Sequence, residues 1–322
     1  MSLTSLLPLI RKTRSPLSPS EFHKTVNVVF HDVEAGHYDL VHEDMWQSLG
    51  RQFNLLAGDL LPFVPDRIRL LDIGCGTGLS TELLLQTGLG RHISHITLAD
   101  TSTQMLERAA KRSRGWQIPT DTFNTGIESL CGSYDLILVC SVLHHIPDIE
   151  EFLSSVSRLQ KTGGILMHLQ DPNGDNLNDG AYRQRLSELE AAHDKPILKK
   201  VASIIPNRWK LAVKKAIGKK SYIDQVNDKL LQMKAIARPM REDEIWSVTD
   251  IHVDGLPFST GTGISLSRMR ELLPYQLIGA RSYGFFGFLE SELPAEFRSR
   301  EQQLIQEHAV NGRYLAATWI KS

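Results

Sequence analysis

The sequence predicts a doubly wound α/β protein: a mostly parallel sheet of seven strands, helices ahead of it, and a long helical insertion after the fifth strand. Three observations carry that reading. The run I-R-L-L-D-I-G-C-G-T-G-L-S over 68–80 is an apolar strand ending in Asp72, a turn with Gly74, Gly76 and Gly78, and the start of a helix. Strand-like and helix-like runs then alternate as far as Asp171, the pattern of parallel strands joined by right-handed helical crossovers. The last two strand-like runs, 276–283 and 313–321, come only after a long stretch without strand character.

Residues 20–61 read as helix, because Phe30, Val33, Tyr38, Val41 and Met45 recur by threes and fours. His31, Asp32, Glu34, His37, His42, Glu43 and Asp44 crowd the same stretch. Imidazole and carboxylate ligate metals, but the reading adopted is a solvated helix face with polar groups turned into a substrate pocket, His37 and His42 among them. No metal is assigned. In the turn, glycine lets backbone approach a ligand where a Cβ would clash, and it adopts positive φ without steric cost. Leu79 stands where the dinucleotide fingerprint wants its third small residue.

A helix over 80–86 leads to a second strand, 95–100, ending in Asp100. A carboxylate about twenty residues beyond such a turn can accept both ribose hydroxyls, or it can cap the helix over 102–111; the two roles are compatible. The third strand is expected over 120–124 and the fourth over 134–140, Y-D-L-I-L-V-C. The loop S-V-L-H-H-I-P-D follows and enters a helix over 148–159, and K-T-G-G-I-L-M-H-L-Q-D over 161–171 is a turn and fifth strand.

Beyond Pro172 the pattern to Trp246 is helical. Between Lys195 and Lys220 stand nine Lys or Arg and no acid. Trp209, Val213, Ala216 and Ile217 share one helical face, so this is a basic amphipathic helix. It can pack on its own domain, lie on an anionic membrane surface, or meet an acidic carrier protein. Residues 246–263 mix aromatics, glycines and polar groups, with Asp250 and His252 able to contact an acceptor or simply to form caps and turns. A helix over 264–273, with Ser265 or Ser267 as its cap, and a charged helix over 294–308 flank the late strands.

With 322 residues the chain exceeds an average domain. It divides into a helical arm and cap (1–65), a ligand-binding core (66–172), a helical insertion or lid (173–260) and the end of the core (261–322). The formal net charge of −1 argues against a whole-protein nucleic-acid footprint. Cys75, Cys131 and Cys140 form neither a C-x-x-C pair nor a disulfide framework, and no run reaches the ~20 apolar residues of a membrane span. A cytoplasmic protein, with peripheral membrane contact as an option, is the expectation.

Taken together, these residues resemble the small-molecule branch of the class I S-adenosylmethionine-dependent methyltransferases, whose sheet is Rossmann-like. The resemblance covers Phe22 to Asp171 closely and the last two strands loosely. It implies that Asp72 and the turn Gly74, Cys75, Gly76, Thr77 and Gly78 hold the methionyl part of S-adenosylmethionine. Asp100 then grips the ribose, and Thr101 and Met105 flank the adenine. Cys140 and Ser141 border the sulfonium with the loop that follows them. Tyr38 resembles an aromatic laid over the donor, where cation-π attraction to a sulfonium is available. The family often has G-D-A-E-x-L after the third strand, where this chain has T-G-I-E-S-L. The adenine is then left to backbone groups near Ile127 or to Glu128.

A sulfonium is already a good leaving group, so aligning the acceptor supplies much of the acceleration. A base is needed only where the acceptor must lose a proton. His144 and His145 are the candidates, with His144 facing the acceptor and His145 partly structural, and His252 is a further one. The expected function is methyl transfer to a small, hydrophobic or anionic acceptor on O, N or C. Three rivals remain. A nicotinamide oxidoreductase would use the same turn, although Leu79 counts against it. A nucleic-acid methyltransferase would use the basic helix, although S-V-L-H-H stands where an N-P-P-Y-like loop belongs. The third is a protein that binds the cofactor without methylating.

Overall fold

Strands rich in Leu, Ile and Val alternate their side chains between two faces, and in this chain both faces are covered. The computed structural model describes residues 3–36, 38, 43–176, 179–192, 221–288 and 290–322. In chain order the helical lead-in is α1 (Leu7–Thr13), α2 (Pro19–Glu34) and α3 (Glu43–Leu60). The core follows as β1 (Ile68–Ile73), α4 (Leu79–Leu85), β2 (Ile93–Asp100), α5 (Thr103–Ser113), β3 (Thr120–Asn124), β4 (Tyr134–Cys140), α6 (Ile149–Leu159) and β5 (Gln160–Pro172). Then come α7 (Gly180–Ala191), α8 (Tyr222–Gln232), α9 (Glu242–Thr249), α10 (Leu266–Leu272), β6 (Tyr275–Tyr283), α11 (Ala295–Gln306) and β7 (Tyr314–Lys321).

The sheet order is β3-β2-β1-β4-β5-β7-β6, with β7 antiparallel to both neighbours, so the expected seven-stranded, mostly parallel architecture is present. One face carries Leu70, Leu98, Leu136, Leu138 and Met167 against Phe53 and Leu56 of α3, Leu84 of α4 and Ala109 of α5. The other carries Leu71, Ile73, Ile137, Val139 and Leu166 against Phe152 and Val156 of α6 and Met269 of α10. Each such side chain, fully buried, contributes about 1.5–3 kcal/mol of transfer free energy.

A third apolar cluster lies apart from the sheet. Leu6, Leu9, Phe22, Val26 and Phe30 of the lead-in pack with Tyr222, Val226, Leu230, Ile245 and Val248 of α8 and α9. Phe30 meets Tyr222 and Trp246 edge-on, with centroids 5.1 and 4.7 Å away, and the Tyr222 hydroxyl donates to the Phe30 carbonyl at 3.0 Å. The N-terminal helices therefore share one core with α8 and α9. Ser18 and Glu21 cap the start of α2 reciprocally, and Pro19 fits its first turn.

Among the described residues the helix expected over 20–61 is interrupted, since α2 ends at Glu34 and Gly36, a poor helix former, follows. Ser102, not Asp100, caps α5 by accepting the Met105 N–H, and Ser265, rather than Ser267, caps α10. The basic segment from Lys195 to Lys220 lies outside the described residues, as do His37 and His42. Among the described residues no helix is long and apolar enough to cross a membrane.

Candidate active site

Strand order reverses between β1 and β4, and the crevice at the carboxyl ends of those strands is where such sheets bind ligands. A cavity of about 600 Å³ opens there, between the glycine turn, α2 and the loop after β4. The three glycines of the turn, all at positive φ, have separate jobs. A Cβ on Gly74 would stand 2.5 Å from Val142 Cγ2, so this glycine admits the β4 loop. A Cβ on Gly78 would stand 3.3 Å from Ala109, so this one packs α4 on α5. A Cβ on Gly76 would meet no atom within 4 Å and would project into the cavity instead. Gly76 is the glycine kept for a ligand.

The turn is anchored by the Gly74 and Cys75 N–H groups, which both donate to the Ala99 carbonyl. Asp100 lies on the cavity wall, and its two oxygens accept from the Gly76 and Ser102 N–H groups at 2.8 Å each. Burial raises its pKa from the ordinary carboxylate value. Each oxygen keeps a lone pair for a hydroxyl. Cys75, Thr77, Thr101, Met105, Ile127, Glu128, Cys140, Ser141 and Tyr38 also line this cavity, as the sequence suggests.

Two residues expected there do not. Gly78 faces α5, as above, and Asp72 is fully buried on the helix side of β1. The Ser80 and Thr81 hydroxyls donate to Asp72 Oδ2 at 2.9 and 2.6 Å, while Oδ1 has no partner. Burial pushes this carboxyl up to about 7. Asp72 fastens the start of α4 to β1 and does not touch the ligand space.

The roof of the crevice is assembled from four segments. At the end of β5 the register slips between Leu169 and Asp171, and Gln170 sits at φ 69. This is a bulge, a device that re-aims the side chain beside it. Asp171 accepts at Oδ1 from the His144 backbone N–H (3.1 Å) and from His144 Nδ1 (2.8 Å), with its side chain wholly buried. The pair places the imidazole proton on Nδ1 and leaves Nε2 basic. Next in the chain, His145 donates from Nδ1 to the Thr249 carbonyl at 2.7 Å, and its ring centroid lies 3.9 Å from that of His144. Burial, reinforced by His144 and His31, holds His145 well below the usual imidazole range.

Asp250 closes the group, with Oδ1 3.3 Å from His145 Nδ1 and 3.8 Å from His144 Nε2. Burial lifts it to about 6. From α2, His31 faces His145 edge-on at 5.0 Å and pairs with Glu34 at 3.2 Å. Burial opposes its charge, but the Glu34 hydrogen bond and the nearby carboxylates of Glu34, Asp100 and Asp250 outweigh it and raise its pKa.

His145, not His144, forms the cavity wall, because His144 is drawn behind it by Asp171. Asp250 likewise sits behind the wall. His252 has no ring nitrogen to offer an acceptor, since Nε2 donates to the Ile146 carbonyl at 2.8 Å and Nδ1 accepts from Thr260 or Thr262. Its backbone N–H donates to the His144 carbonyl at 3.3 Å. His252 therefore stitches the strap after α9 to the β4 loop, and its expected role as a base is not supported. The sequence reading gave Asp171 no role and placed His31 only in a polar cluster.

Residues 71–166 match the family model described as a methyltransferase domain. Over those residues the chain carries a methyltransferase domain. Among curated proteins it is 37% identical over 109 residues to a lovastatin diketide synthase of Aspergillus terreus, an overlap of 31% of this chain and 4% of that one. It is 29% identical over 145 residues to a highly reducing polyketide synthase of Neocamarosporium betae, covering 41% of this chain and 5% of that one. This chain thus spans a small fraction of the length of the relatives it matches. Among solved structures, the plantazolicin methyltransferase BpumL in complex with SAH aligns over 94% of this chain and 99% of that one, at 15% identity and a TM-score of 0.44.

The residues present suit S-adenosylmethionine. The cavity is open where a Cβ on Gly76 would stand, and Asp100 offers lone pairs to a ribose. Met105 and Ile127 supply apolar surface for a base.

Proposed function

We propose that the domain methylates carbon, at a position made acidic by flanking carbonyl groups in an acyl chain of the polyketide type. The observation that carries this reading is the buried His144–Asp171 pair directly behind the His145 wall of the cavity. The polyketide synthases among the relatives support it. When bound, the cofactor supplies an electrophilic methyl group on a positively charged sulfur.

The methylation of such a carbon requires that a proton leave it. Nε2 of His144, behind the His145 ring in this structure, accepts that proton when the acceptor displaces that ring, and the C–H electron pair becomes available for the new C–C bond. Asp171, hydrogen-bonded to Nδ1, fixes the tautomer and stabilises the imidazolium that forms, as a carboxylate does behind a catalytic histidine. His145 donates its Nδ1–H to the Thr249 carbonyl, and burial disfavours a second proton on its ring, so it shapes the wall and leaves the proton to His144. Asp100 and the Gly76 backbone hold the cofactor. The basic stretch between Lys195 and Lys220 is proposed to meet an acidic carrier that delivers the chain.

The test uses a β-ketoacyl thioester mimic deuterated at the carbon between the carbonyls. The wild-type protein should wash deuterium into water and, with S-adenosylmethionine, yield a product methylated on that carbon. His144→Ala should lose both. Product methylated on oxygen, or deuterium loss unchanged in His144→Ala, overturns the reading.

A further inference from the structure

We propose that His144, His145 and Asp250 form a binding site for one divalent cation of borderline softness, of the Zn²⁺ or Co²⁺ type. One ligand atom from each residue lies within 4.8 Å of the others. Asp250 Oδ1 stands 3.3 Å from His145 Nδ1 and 3.8 Å from His144 Nε2. Donors on a tetrahedral zinc, bonded at ~2.0–2.1 Å, lie about 3.3 Å apart. The Asp250 oxygen already stands at that separation from His145 and about half an ångström beyond it from His144, while all three donors lie within 4.8 Å of one another.

Two features mark this as more than an accidental meeting of polar groups. The nitrogen of His144 that points away from Asp250 is hydrogen-bonded to a buried carboxylate, Asp171. That carboxylate–histidine arrangement is the one that orients imidazole ligands and raises their basicity at metal centres. The two chain segments that bring the donors are also tied to each other independently of those donors. The His252 backbone donates to the His144 carbonyl, and the His252 ring donates to the Ile146 carbonyl. The two segments are thus held together before any ion arrives.

The donor set defines the class of ion. Two imidazoles and one carboxylate, without thiolate, suit zinc, cobalt or ferrous iron rather than magnesium or calcium, which take oxygen ligands. Three protein donors leave a fourth coordination position open, as in a site with an exchangeable ligand. Binding requires His145 to give up its hydrogen bond to Thr249 and move its proton to Nε2. Binding does not depend on the identity of the methyl acceptor. Where His144 is the base, an ion on Nε2 also withdraws that base, and methyl transfer is then inhibited.

The experiment titrates the full chain, freed of metal by a chelator, with Co²⁺ alone. The expected result is one equivalent taken up, with visible d–d absorption of a low-coordinate site, displaced by Zn²⁺. Asp250→Asn and His145→Ala should each weaken binding by about 100-fold. Asp171→Asn should weaken it by about 10- to 100-fold through His144. His95→Ala, at a solvent-facing pair with Asp121, should leave it unchanged. Should His145→Ala fail to fold, the near-isosteric Asp250→Asn carries the test. The proposal is overturned if no ion is taken up, or if uptake is the same in Asp250→Asn as in the wild type.

Discussion

The floor of the cavity, from Gly74 to Thr77 with Asp100, is made of backbone and one carboxylate, whereas its roof gathers side chains from α2, the β4 loop, the end of β5 and the strap after α9. The floor holds by short-range geometry. The turn follows directly on β1, and Asp100 ends the neighbouring strand, in register one step beyond the Ile73–Ala99 pair. The roof holds by tertiary structure, since His31, His144, Asp171 and Asp250 come together only when four separate segments have packed. A floor of this kind recognises what many enzymes share, and a roof of this kind is free to vary with the chemistry performed.

The sharpest way to break that division is to remove a roof residue and ask whether the floor notices. His144→Ala should lower kcat by about 10²–10⁴ and leave the dissociation constant for S-adenosylhomocysteine within about threefold, measured by calorimetry. Asp171→Asn should follow it in the same direction, because the amide can present its NH₂ to Nδ1 and shift the tautomer. A large loss of cofactor affinity in either variant would mean that floor and roof are one unit.

Floor substitutions should show the opposite split. Gly76→Ala places a methyl group in the cavity and strains a residue at φ 54 by about 1–2 kcal/mol. Asp100→Ala removes the acceptor of two backbone N–H groups and, as assigned, of the ribose hydroxyls. Each should weaken cofactor binding by about 10- to 100-fold, on the scale of hydrogen bonds to a charged group. Turnover at saturating cofactor should stay much closer to wild type than in His144→Ala.

How much of this was legible in the sequence follows the same line. Gly76 and Asp100 are readable because their meaning depends on neighbours a few residues away and on one adjacent strand. The bulge at Gln170 is not readable: no residue type announces it, yet it aims Asp171 at His144 across 27 positions. His31 and Asp250 reach the site from helices whose packing rests on Phe30, Tyr222 and Trp246, and periodicity predicts such helices without saying where they dock. His252 misleads for a related reason, since a histidine beside glycines and threonines suggests chemistry until its ring is found bonded on both nitrogens. The succession of strands and helices is readable because apolar runs alternate with capped helices through the core, whereas the order of the strands in the sheet comes from the structure alone.

Asp72 gives the prediction with the smallest effect on catalysis, and it separates the floor from the strand beneath it. Its carboxyl is raised from 3.8 to about 7, by burial first and then by the charge of Asp100, against the hydrogen bonds from Thr81 and Ser80. The unfolded chain therefore releases this proton near pH 4, while the folded chain keeps it to about pH 7. Between those values the folded state binds more protons, so stability falls as pH rises, and above about pH 7 the contribution levels off. The slope is at most one proton, on the order of 1 kcal/mol per pH unit. Asp72→Asn, which mimics the protonated form, should abolish this part of the slope in denaturant melts taken from pH 4 to pH 8. It should become relatively more stable than the wild type toward the alkaline end. Cofactor affinity should change by less than about threefold at any pH, because Asp72 turns toward Ser80 and Thr81 and away from the cavity. A large loss of affinity in Asp72→Asn would return this residue to the ligand-holding role that its place before the glycine turn suggests.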